Sequence, residues 1–499
     1  MSRKKKLLLN TIAGLIKQLV TVICGFILPR FFILQYGSSV NGLVASVTNF
    51  LSFISLLDMG VGAVIQANLY KPLADKDNAQ ISRILKSSER FFRRLAYIFI
   101  VYIIVLCILF PTVIKRDYDV WFSASLIVII SISTLAQYFL GITYQLLLNA
   151  DQKGYVSLFM QIATVVLNTI LAIIMIKAGM SIHMVKLMTA GVYVLRPVGQ
   201  MLYVRRHYVV DKSIELIGEP IKQKWNGFSQ HLAAVVCQNI DIIVLTLFSN
   251  LENVSIYSVY FNVTNGVEQI ILTAATGLEA LFGNMIAKNE KEKLVKTFGA
   301  IEWIVHFVVT LIFTIAAISI VPFVMVYTRG ITDANYVAPV FGTMLVIAYG
   351  AQCLRIPYFR IIKAAGHFKE TQNGAYISAI LNIVITVALV FKFGLIGAAL
   401  GTLVAMVYHT SYFVWYLRKN IIERSVLYFV KYITTDFLIA GVTFFIARWI
   451  TFTNIGYISW IIFTLKVAGL AFLVSIIFNV LFYRHMIRDI ICLMYRKPS

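Results

Sequence analysis

The chain has 499 residues, of which 60% are hydrophobic and only 13% are charged, and its mean hydropathy is +0.83. A water-soluble chain of this length would carry about 25% charged residues, so this composition excludes a soluble globular protein. The net charge of +22 does not indicate nucleic acid as a partner. Its basic residues fall in short segments between apolar runs, where they set membrane topology and attract anionic lipids at the inner leaflet.

Apolar runs of 18 or more residues, each long enough to span a bilayer, recur along the chain. They predict an all-α polytopic membrane protein with 14 transmembrane helices. The first seven predicted spans are 7–34, 42–66, 91–114, 120–148, 154–177, 183–204 and 226–249. The other seven are 256–284, 299–325, 337–363, 374–393, 395–417, 429–451 and 457–483.

The distribution of Lys and Arg over the loops predicts the orientation. These residues are concentrated on the side of the N-terminus and scarce in the alternate loops, so both termini are predicted to be cytoplasmic. The predicted outer loops, such as 35–41 and 250–255, are short, which argues against a membrane-embedded glycan polymerase. The sequence contains no GxxxxGK[ST] nucleotide motif and no recognisable catalytic or metal-binding motif, so we predict neither an enzyme nor a metal site.

Several short stretches of sequence occur twice in the chain, and nearly the same number of residues separates the two copies of each. The stretch "LNTILAIIMIKAG" at 167–179 resembles "LNIVITVALVFKFG" at 381–394, and "VTN" at 47–49 recurs at 263–265. The offset maps spans 1–6 onto spans 7–12, and an even number of spans per copy gives parallel repeats. We therefore predict a lobe at 1–210, a second six-helix lobe at 211–420 and two additional helices at 421–499.

Three stretches carry a resemblance to a known family. They are "YGSSVNGLVASVTNFLSFISLLDMGVGAVIQANL" (36–69), "LLNADQKGYVSLFMQIATVVLN" (147–168) and "AAGHFKETQNGAYISAILN" (364–382). Together with the division into six, six and two spans, they resemble the Wzx-like polysaccharide flippase family. That family belongs to the multidrug/oligosaccharidyl-lipid/polysaccharide exporter superfamily.

The resemblance implies a V-shaped pair of lobes around a central cavity in a bacterial cytoplasmic (inner) membrane. Such a protein moves an oligosaccharide linked to undecaprenyl pyrophosphate from the inner to the outer leaflet by alternating access, for capsule, O-antigen or a similar surface polysaccharide. It also implies a polysaccharide polymerase and glycosyltransferases as partners. A cation-coupled multidrug exporter of the same superfamily stays an alternative.

Charged residues inside membrane spans are candidate functional groups because burying them is costly. A pyrophosphate or an acidic sugar needs cationic partners in a wet cavity, and Arg and Lys supply them. The candidate cationic cavity consists of Lys17, Arg30, Arg196, His231, Arg355 and Arg360. Arg30 follows Pro29 and could instead reach the membrane surface, whereas Lys17, deep in span 1, is the hardest to explain without a ligand.

Acidic and uncharged polar residues complete the candidate site. Asp58, Asp241 and Glu268 are candidates for H⁺ or Na⁺ coupling or for pairing with a cation, and the sequence does not decide between these roles. No other cofactor is predicted. Candidates for hydrogen bonding to sugar hydroxyls are Gln18, Asn49, Tyr144, Gln145 and Asn265. Hydrogen bonding between helices is the alternative role for each of these five residues.

Overall fold

The computed structural model describes residues 3–54, 59–114, 118–211, 213–214 and 228–495. Within these ranges the chain is helical, without any strand, so the predicted all-α class is confirmed. Eleven helices of the described part are long and apolar enough to cross a membrane. The chain is therefore a multi-pass membrane protein.

The described part of the first half contains seven α-helices. They are α1 (Arg3–Ser52), α2 (Met59–Asp75), α3 (Asn78–Val113), α4 (Val120–Ala136), α5 (Ile142–Ala150), α6 (Gly154–Lys177) and α7 (Ile182–His207). A π-helical turn, Gln137–Gly141, joins α4 to α5. α3, α6 and α7 agree with the predicted spans 91–114, 154–177 and 183–204, and α4 and α5 together cover the predicted span 120–148. The predicted span 42–66 is instead divided between the end of α1 and the first part of α2. Helices suit a bilayer because they satisfy their own backbone hydrogen bonds.

The second half continues with ten helices. They are α8 (Phe228–Phe248), α9 (Leu251–Ala274), α10 (Leu278–Ala287), α11 (Lys291–Tyr327), α12 (Pro339–Leu354), α13 (Ile356–Ala364), α14 (Phe368–Phe393), α15 (Leu395–Asn420), α16 (Leu427–Ala447) and α17 (Tyr457–Tyr495). Only Gly394 separates α14 from α15. Its φ of 50° is in the left-handed region that glycine adopts without a steric penalty.

The predicted outer loop at 35–41 is reduced to a break in the helix at Gly37. This residue has a non-helical backbone, with φ 87° and ψ 167°, between two helical segments of α1. A residue with a side chain would be strained in this conformation, so the glycine marks the boundary between the first two predicted spans. The flanking polar residues Gln35 and Asn41 are helical.

The helix boundaries recur with the offset seen in the sequence. α6 begins at Gly154 and α14 at Phe368, which is 214 residues later. Gln152 and Gly366 both have positive φ and stand 214 residues apart. Even a buried contact recurs, because the Tyr144 hydroxyl donates to Glu89 in the first half and the Tyr358 hydroxyl donates to Glu302 in the second.

The chain divides into two compact units, here called unit 1 and unit 2. Unit 1 contains Met1–Val235 and Asn250–Ser255, and unit 2 contains Val236–Ser249 and Ile256–Ser499. The core of unit 1 is built from apolar side chains of α1 to α7, among them Leu43, Phe92 and Leu147. This packing holds α1, α5, α6 and α7 beside one another.

In unit 2, two glycines let α14 and α15 approach closely. A Cβ on Gly397 would lie 2.5 Å from the Leu389 carbonyl oxygen, and one on Gly401 would lie 2.0 Å from Thr386 Oγ1. The stretch Gly397–Gly401 is a GxxxG sequence, which allows membrane helices to pack backbone against backbone. The close contact sets Thr386 beside the residues of the next subsection.

Candidate functional site

Two cations of unit 1, Lys17 on α1 and Arg196 on α7, lie close enough to repel each other electrostatically. Both side chains are half-buried. Arg196 Nη2 donates a hydrogen bond to Thr164 Oγ1 at 3.1 Å, and its guanidinium lies 5.2 Å from the centre of the Tyr193 ring. Its Nε atom is buried without a hydrogen-bond partner among the described residues.

Within the described part of unit 1, no carboxylate forms an ion pair with either of these two cations. Two like charges within electrostatic range of each other inside a membrane are unfavourable without an anion. The neighbouring Gln18 has no described hydrogen-bond partner either. This arrangement can therefore bind an anionic group, with a guanidinium and an ammonium as donors.

A cavity of about 290 Å³ lies in the same unit, between α1, α5 and α6. Its lining contains no charged side chain, and carboxamides predominate. The lining residues are Asn10, Gln145, Asn149, Gly154, Ser157, Leu158 and Gln161. Of these, only Gln145 was among the candidates for sugar binding in the sequence analysis.

The π-helical turn contributes to this cavity. Gln137, its first residue, donates from Nε2 to the Gln145 Oε1 at 3.0 Å. This bond orients the Gln145 side chain, one turn before the end of α5. π-Helical turns are frequent at functional sites because they shift side chains out of regular helical register.

Polar side chains clustered around one carboxylate, that of Asp151, hold together the end of unit 1 that contains the start of α1. Asp151 accepts from Lys6 Nζ at 3.1 Å, from Lys153 Nζ at 2.8 Å and from the Tyr208 hydroxyl at 2.6 Å. Burial alone would raise the pKa of Asp151, but the bonds from Lys153, Tyr208 and Lys6 outweigh it and lower the pKa. The cluster ties the start of α1 to the α5–α6 loop and to the end of α7.

In unit 2, Asp241 is surrounded by hydroxyl groups. It accepts from Thr402 Oγ1 at 2.5 Å, from the Tyr257 hydroxyl at 2.7 Å and from Thr386 Oγ1 at 3.5 Å. The residue is only 2% exposed. An all-oxygen group with one carboxylate can hold a proton or a hard monovalent cation.

The other predicted charges of unit 2 have partners. Gln352 Nε2 donates to Glu268 Oε1 at 2.5 Å, and Arg355 attracts Glu268 electrostatically. Arg355 also contacts His409 Nδ1 at 2.5 Å. Arg360 Nη1 lies 3.4 Å from Glu279 Oε2. Pairing within the protein accounts for these charges, in contrast to Lys17 and Arg196.

Of the remaining candidates for sugar binding, three make contacts of their own. Asn49 Nδ2 donates to the Ala45 carbonyl of its own helix, and Asn265 Oδ1 accepts from Gln269. Tyr144 is buried against Glu89. Arg30 is half-buried on α1.

Two further candidates cannot be placed. Asp58 lies outside the described residues. For His231, only the backbone, within α8, is described.

Sequence reasoning missed the polar stripe of α6. Ser157, Gln161, Thr164 and Asn168 recur at intervals of three and four residues, so they share one face of an otherwise apolar helix. Ser157 and Gln161 face the cavity, and Thr164 contacts Arg196. This spacing could have predicted that the polar face of α6 belongs to a site, because a polar stripe on a membrane helix faces protein or water rather than lipid.

The fold is that of known membrane transporters. The chain superposes on the lipid II flippase MurJ in an inward closed conformation with a TM-score of 0.68 and 16% identity, covering 96% of this chain and 100% of MurJ. An inward-facing multidrug resistance MATE family transporter of the MOP superfamily matches with a TM-score of 0.57 and 14% identity, over 81% of this chain and 96% of that one. No protein-family model and no curated protein sequence matches the chain.

A third match is a MOP superfamily transporter from Pyrococcus furiosus, whose binding pocket is described as having reverse polarity. It has a TM-score of 0.57 and 14% identity, over 85% of this chain and 98% of that one. The fold is thus that of a polytopic membrane protein and is similar to the fold of these transporters. More particularly, the chain shares the fold of MurJ over nearly its whole length, and at these identities the comparison concerns the fold alone.

Proposed function

We propose that the chain is a flippase that moves a lipid-linked oligosaccharide, carried on undecaprenyl pyrophosphate, from the inner to the outer leaflet by alternating access. It would serve the synthesis of a surface polysaccharide such as capsule or O-antigen. The observation that carries the proposal is the pair Lys17 and Arg196, which has no carboxylate partner in the described part of unit 1. A pyrophosphate linkage would supply the negative charge that these two cations lack as a partner.

The charge balance favours this substrate over a cationic drug. A multidrug exporter for cations needs free carboxylates in its cavity, since opposite charges must meet inside the membrane. The described carboxylates Asp241 and Glu268 are only 2% and 3% exposed and are bonded to hydroxyl or amide groups, so they offer no open surface to a drug-sized cation. Lys17 and Arg196, the two candidate charges for which the described residues supply no carboxylate partner, are both basic, which supports an anionic substrate.

Ion coupling is part of the proposal. The oxygen atoms of Tyr257, Thr386 and Thr402 around Asp241 suit H⁺ or Na⁺, and a cation bound there would neutralise a charge that is otherwise buried. Thr386 also bonds to Asn382 Oδ1 at 3.0 Å. This part of unit 2 would thus sense the ion, while unit 1 holds the anionic substrate.

The test is complementation of cells whose own copy of the gene is deleted. We expect Lys17→Ala and Arg196→Ala each to reduce surface polysaccharide about tenfold or more, because each removes a charge-assisted bond of about 1.5–3 kcal/mol. Lipid-linked intermediates should accumulate in the membranes of these cells. Lys17→Arg, which keeps the charge, should restore most of the polysaccharide.

Lys177→Ala is the matched control, because Lys177 is an exposed basic residue in the last turn of α6 and should leave polysaccharide unchanged. Thermal unfolding of each purified variant shows whether it is folded. Normal polysaccharide with both Lys17→Ala and Arg196→Ala contradicts the proposal. Loss of drug efflux alone on deletion of the gene favours the multidrug exporter instead.

A further inference from the structure

We propose that the carboxamide cavity of unit 1 is a binding site for one uncharged sugar ring, recognised through its hydroxyl or acetamido groups. The inference rests on the proposed function, because it names the part of the substrate that the cation pair does not explain. The cavity is lined by α1, α5 and α6 at the end of the unit that carries Lys6 and Asp151. Topology predicts this end to be cytoplasmic.

The wall of the cavity is rigid on the side of α1. Asn10 Nδ2 donates to the Gln152 carbonyl at 3.0 Å, and Asn10 Oδ1 accepts from the Tyr155 backbone N–H at 2.6 Å. Both ends of the Asn10 amide are therefore used by the protein. Asn10 holds the N-terminus of α6 in place and leaves ligand binding to other residues.

The other polar side chains keep hydrogen-bonding capacity. The Gln145 Nε2 has no acceptor among the described residues, since only its Oε1 is engaged, by Gln137. Asn149 is exposed and makes no described side-chain hydrogen bond. Primary amides offer both donors and acceptors, which suits hydroxyl and acetamido groups.

Ser157 and Gln161 add a second row of groups from α6. Ser157 is 2% exposed and accepts from Gln200 Nε2 at 2.7 Å, so its own hydroxyl proton is free to be donated. Gln161 makes only a long contact of 3.5 Å to Ser157 through its Nε2, and its Oε1 is free among the described residues. Buried polar groups of this kind discriminate strongly for a ligand that completes their hydrogen bonds.

The cavity has room for a single sugar ring. Its volume of about 290 Å³ lies near the lower limit of ligand pockets, about 300 Å³. Gly154 keeps it open, because a Cβ at this position would lie 2.9 Å from Asn149 Oδ1 and 3.4 Å from Asn10 Oδ1. The absence of charged side chains in the lining disfavours a phosphate or a uronic acid here.

The second half of the chain lacks these amides, whereas the hydroxyl of Ser157 is retained as that of Thr371. At the offset of 214 residues, Gln145, Asn149 and Gln161 correspond to Phe359, Lys363 and Ala375, and Gly154 corresponds to Phe368. Amides that served only to hold the repeated helices together would be expected in both halves. Their restriction to unit 1 indicates a ligand.

The test uses the full-length protein in nanodiscs and saturation-transfer difference NMR. The probes are the methyl α-glycosides of N-acetylglucosamine and of glucuronic acid. We expect the neutral glycoside to bind, and to bind about fivefold more weakly to Gln161→Leu, which loses one hydrogen-bonding group. Gly154→Ala narrows the cavity without removing an amide and should weaken the neutral glycoside similarly, so the result does not depend on one variant folding.

Gln35→Leu, at an exposed position of α1, is the matched control and should bind as the wild type does. Equal binding of the neutral glycoside to wild type, Gln161→Leu and Gly154→Ala overturns the inference, as does binding of the glucuronide alone. Lys17→Ala should keep neutral-glycoside binding. Cavity-dependent binding in a protein whose deletion leaves surface polysaccharide intact would instead overturn the proposed flippase function and leave the sugar site standing.

Discussion

Asp151 joins three segments of unit 1 through one carboxylate. Lys6 comes from α1, Lys153 from the loop before α6, and Tyr208 follows α7. The Asp151 carboxylate contributes more to the stability of the folded protein than an exposed ion pair would. Its side chain is only 23% exposed, and its bonds are charge-assisted. The same three bonds hold the α5–α6 loop, which connects two of the helices that line the carboxamide cavity.

The lowered pKa of Asp151 predicts a pH-dependent stability. The carboxyl group has a lower pKa in the folded state than in the unfolded state, where it is about 3.9. Its contribution is therefore complete above pH ~5 and is lost as the pH falls through the folded-state pKa. We expect Asp151→Asn to lower the free energy of unfolding by about 1–2 kcal/mol at neutral pH, and the difference to shrink below pH ~4.

Thermal unfolding of both proteins in detergent, from pH 7 down to pH 3, measures this difference. Asp211 serves as a control because it is an exposed carboxylate bonded only locally, to Ser213. Asp211→Asn should change stability much less at every pH. An Asp151→Asn effect that is as large at pH 3 as at pH 7 contradicts the ionic interpretation.

At the scale of helices, α14 and α15 show how a short loop and a glycine pattern cooperate. Gly394 alone turns the chain between them, and Gly397 and Gly401 remove the side chains that would separate the two helices. The pattern was visible in the sequence as GxxxG. The surface of α14 that it contacts, at Leu389 and Thr386, could not be predicted, because no local sequence pattern indicates which helix a face of small residues will contact.

We expect Gly397→Ala to destabilise the protein by about 1–3 kcal/mol, since the new methyl group would meet the backbone of Leu389, which cannot move as a side chain can. Gly441→Ala on α16 is the matched control. A Cβ at Gly441 meets nothing within 4 Å, so this substitution should be neutral or slightly stabilising because alanine favours the helix. Thermal unfolding compares the two, and equal stability of both variants would show that α14 and α15 pack less closely than described.

At the scale of unit 2, a buried ionic network attaches the two C-terminal helices. Glu302 on α11 forms an ion pair with Arg424 at 2.5 Å, and His306 on the same helix bonds to Asp436 of α16 at 2.6 Å. Trp303 donates to Asn479 of α17 at 2.8 Å. The last two helices are thus bonded to unit 2 through side chains buried inside it.

Removing one member of the buried pair Glu302–Arg424 should lower the free energy of unfolding more than removing the charge from both members. Arg424→Met leaves Glu302, which is 2% exposed, without its cation, and we expect a loss of about 3–5 kcal/mol. The double variant Arg424→Met with Glu302→Gln should regain more than half of it, because Gln can still accept from Tyr358. A double-mutant cycle of unfolding free energies measures the coupling, and strictly additive effects would exclude a direct pair.

The sequence predicted the helices well and the site in part. Apolar length and charge asymmetry are local properties, so the spans could be placed, and the repeated "LN" and "VTN" elements agree with helix boundaries that recur at the same offset. Lys17 could be singled out because its charge interrupts an apolar run. Its proximity to Arg196 and their lack of a carboxylate depend on how α1, α6 and α7 pack together, which sequence spacing does not encode.

The cavity was the harder feature to predict. Gln145 was a candidate for its polarity alone, whereas Asn149 stands at the predicted end of a span, where polar residues are ordinary. Gly154 is important because it leaves space between Asn10 and Asn149. Asn10 lies 144 residues before Gly154, so the sequence does not show that they are neighbours. Comparing the two repeats position by position would have revealed the contrast between Gln161 and Ala375.

The unpaired cations Lys17 and Arg196 have an electrical consequence for the proposed transport cycle. Moving one elementary charge through a membrane potential of 100 mV involves about 2.3 kcal/mol of work. An anionic substrate cancels the two charges, so the loaded protein changes conformation with little electrical work. The empty protein returns with both charges exposed to the field. If the chain carries an anion as proposed, the membrane potential acts mainly on the return of the empty protein, so the rate of this step should depend on the potential.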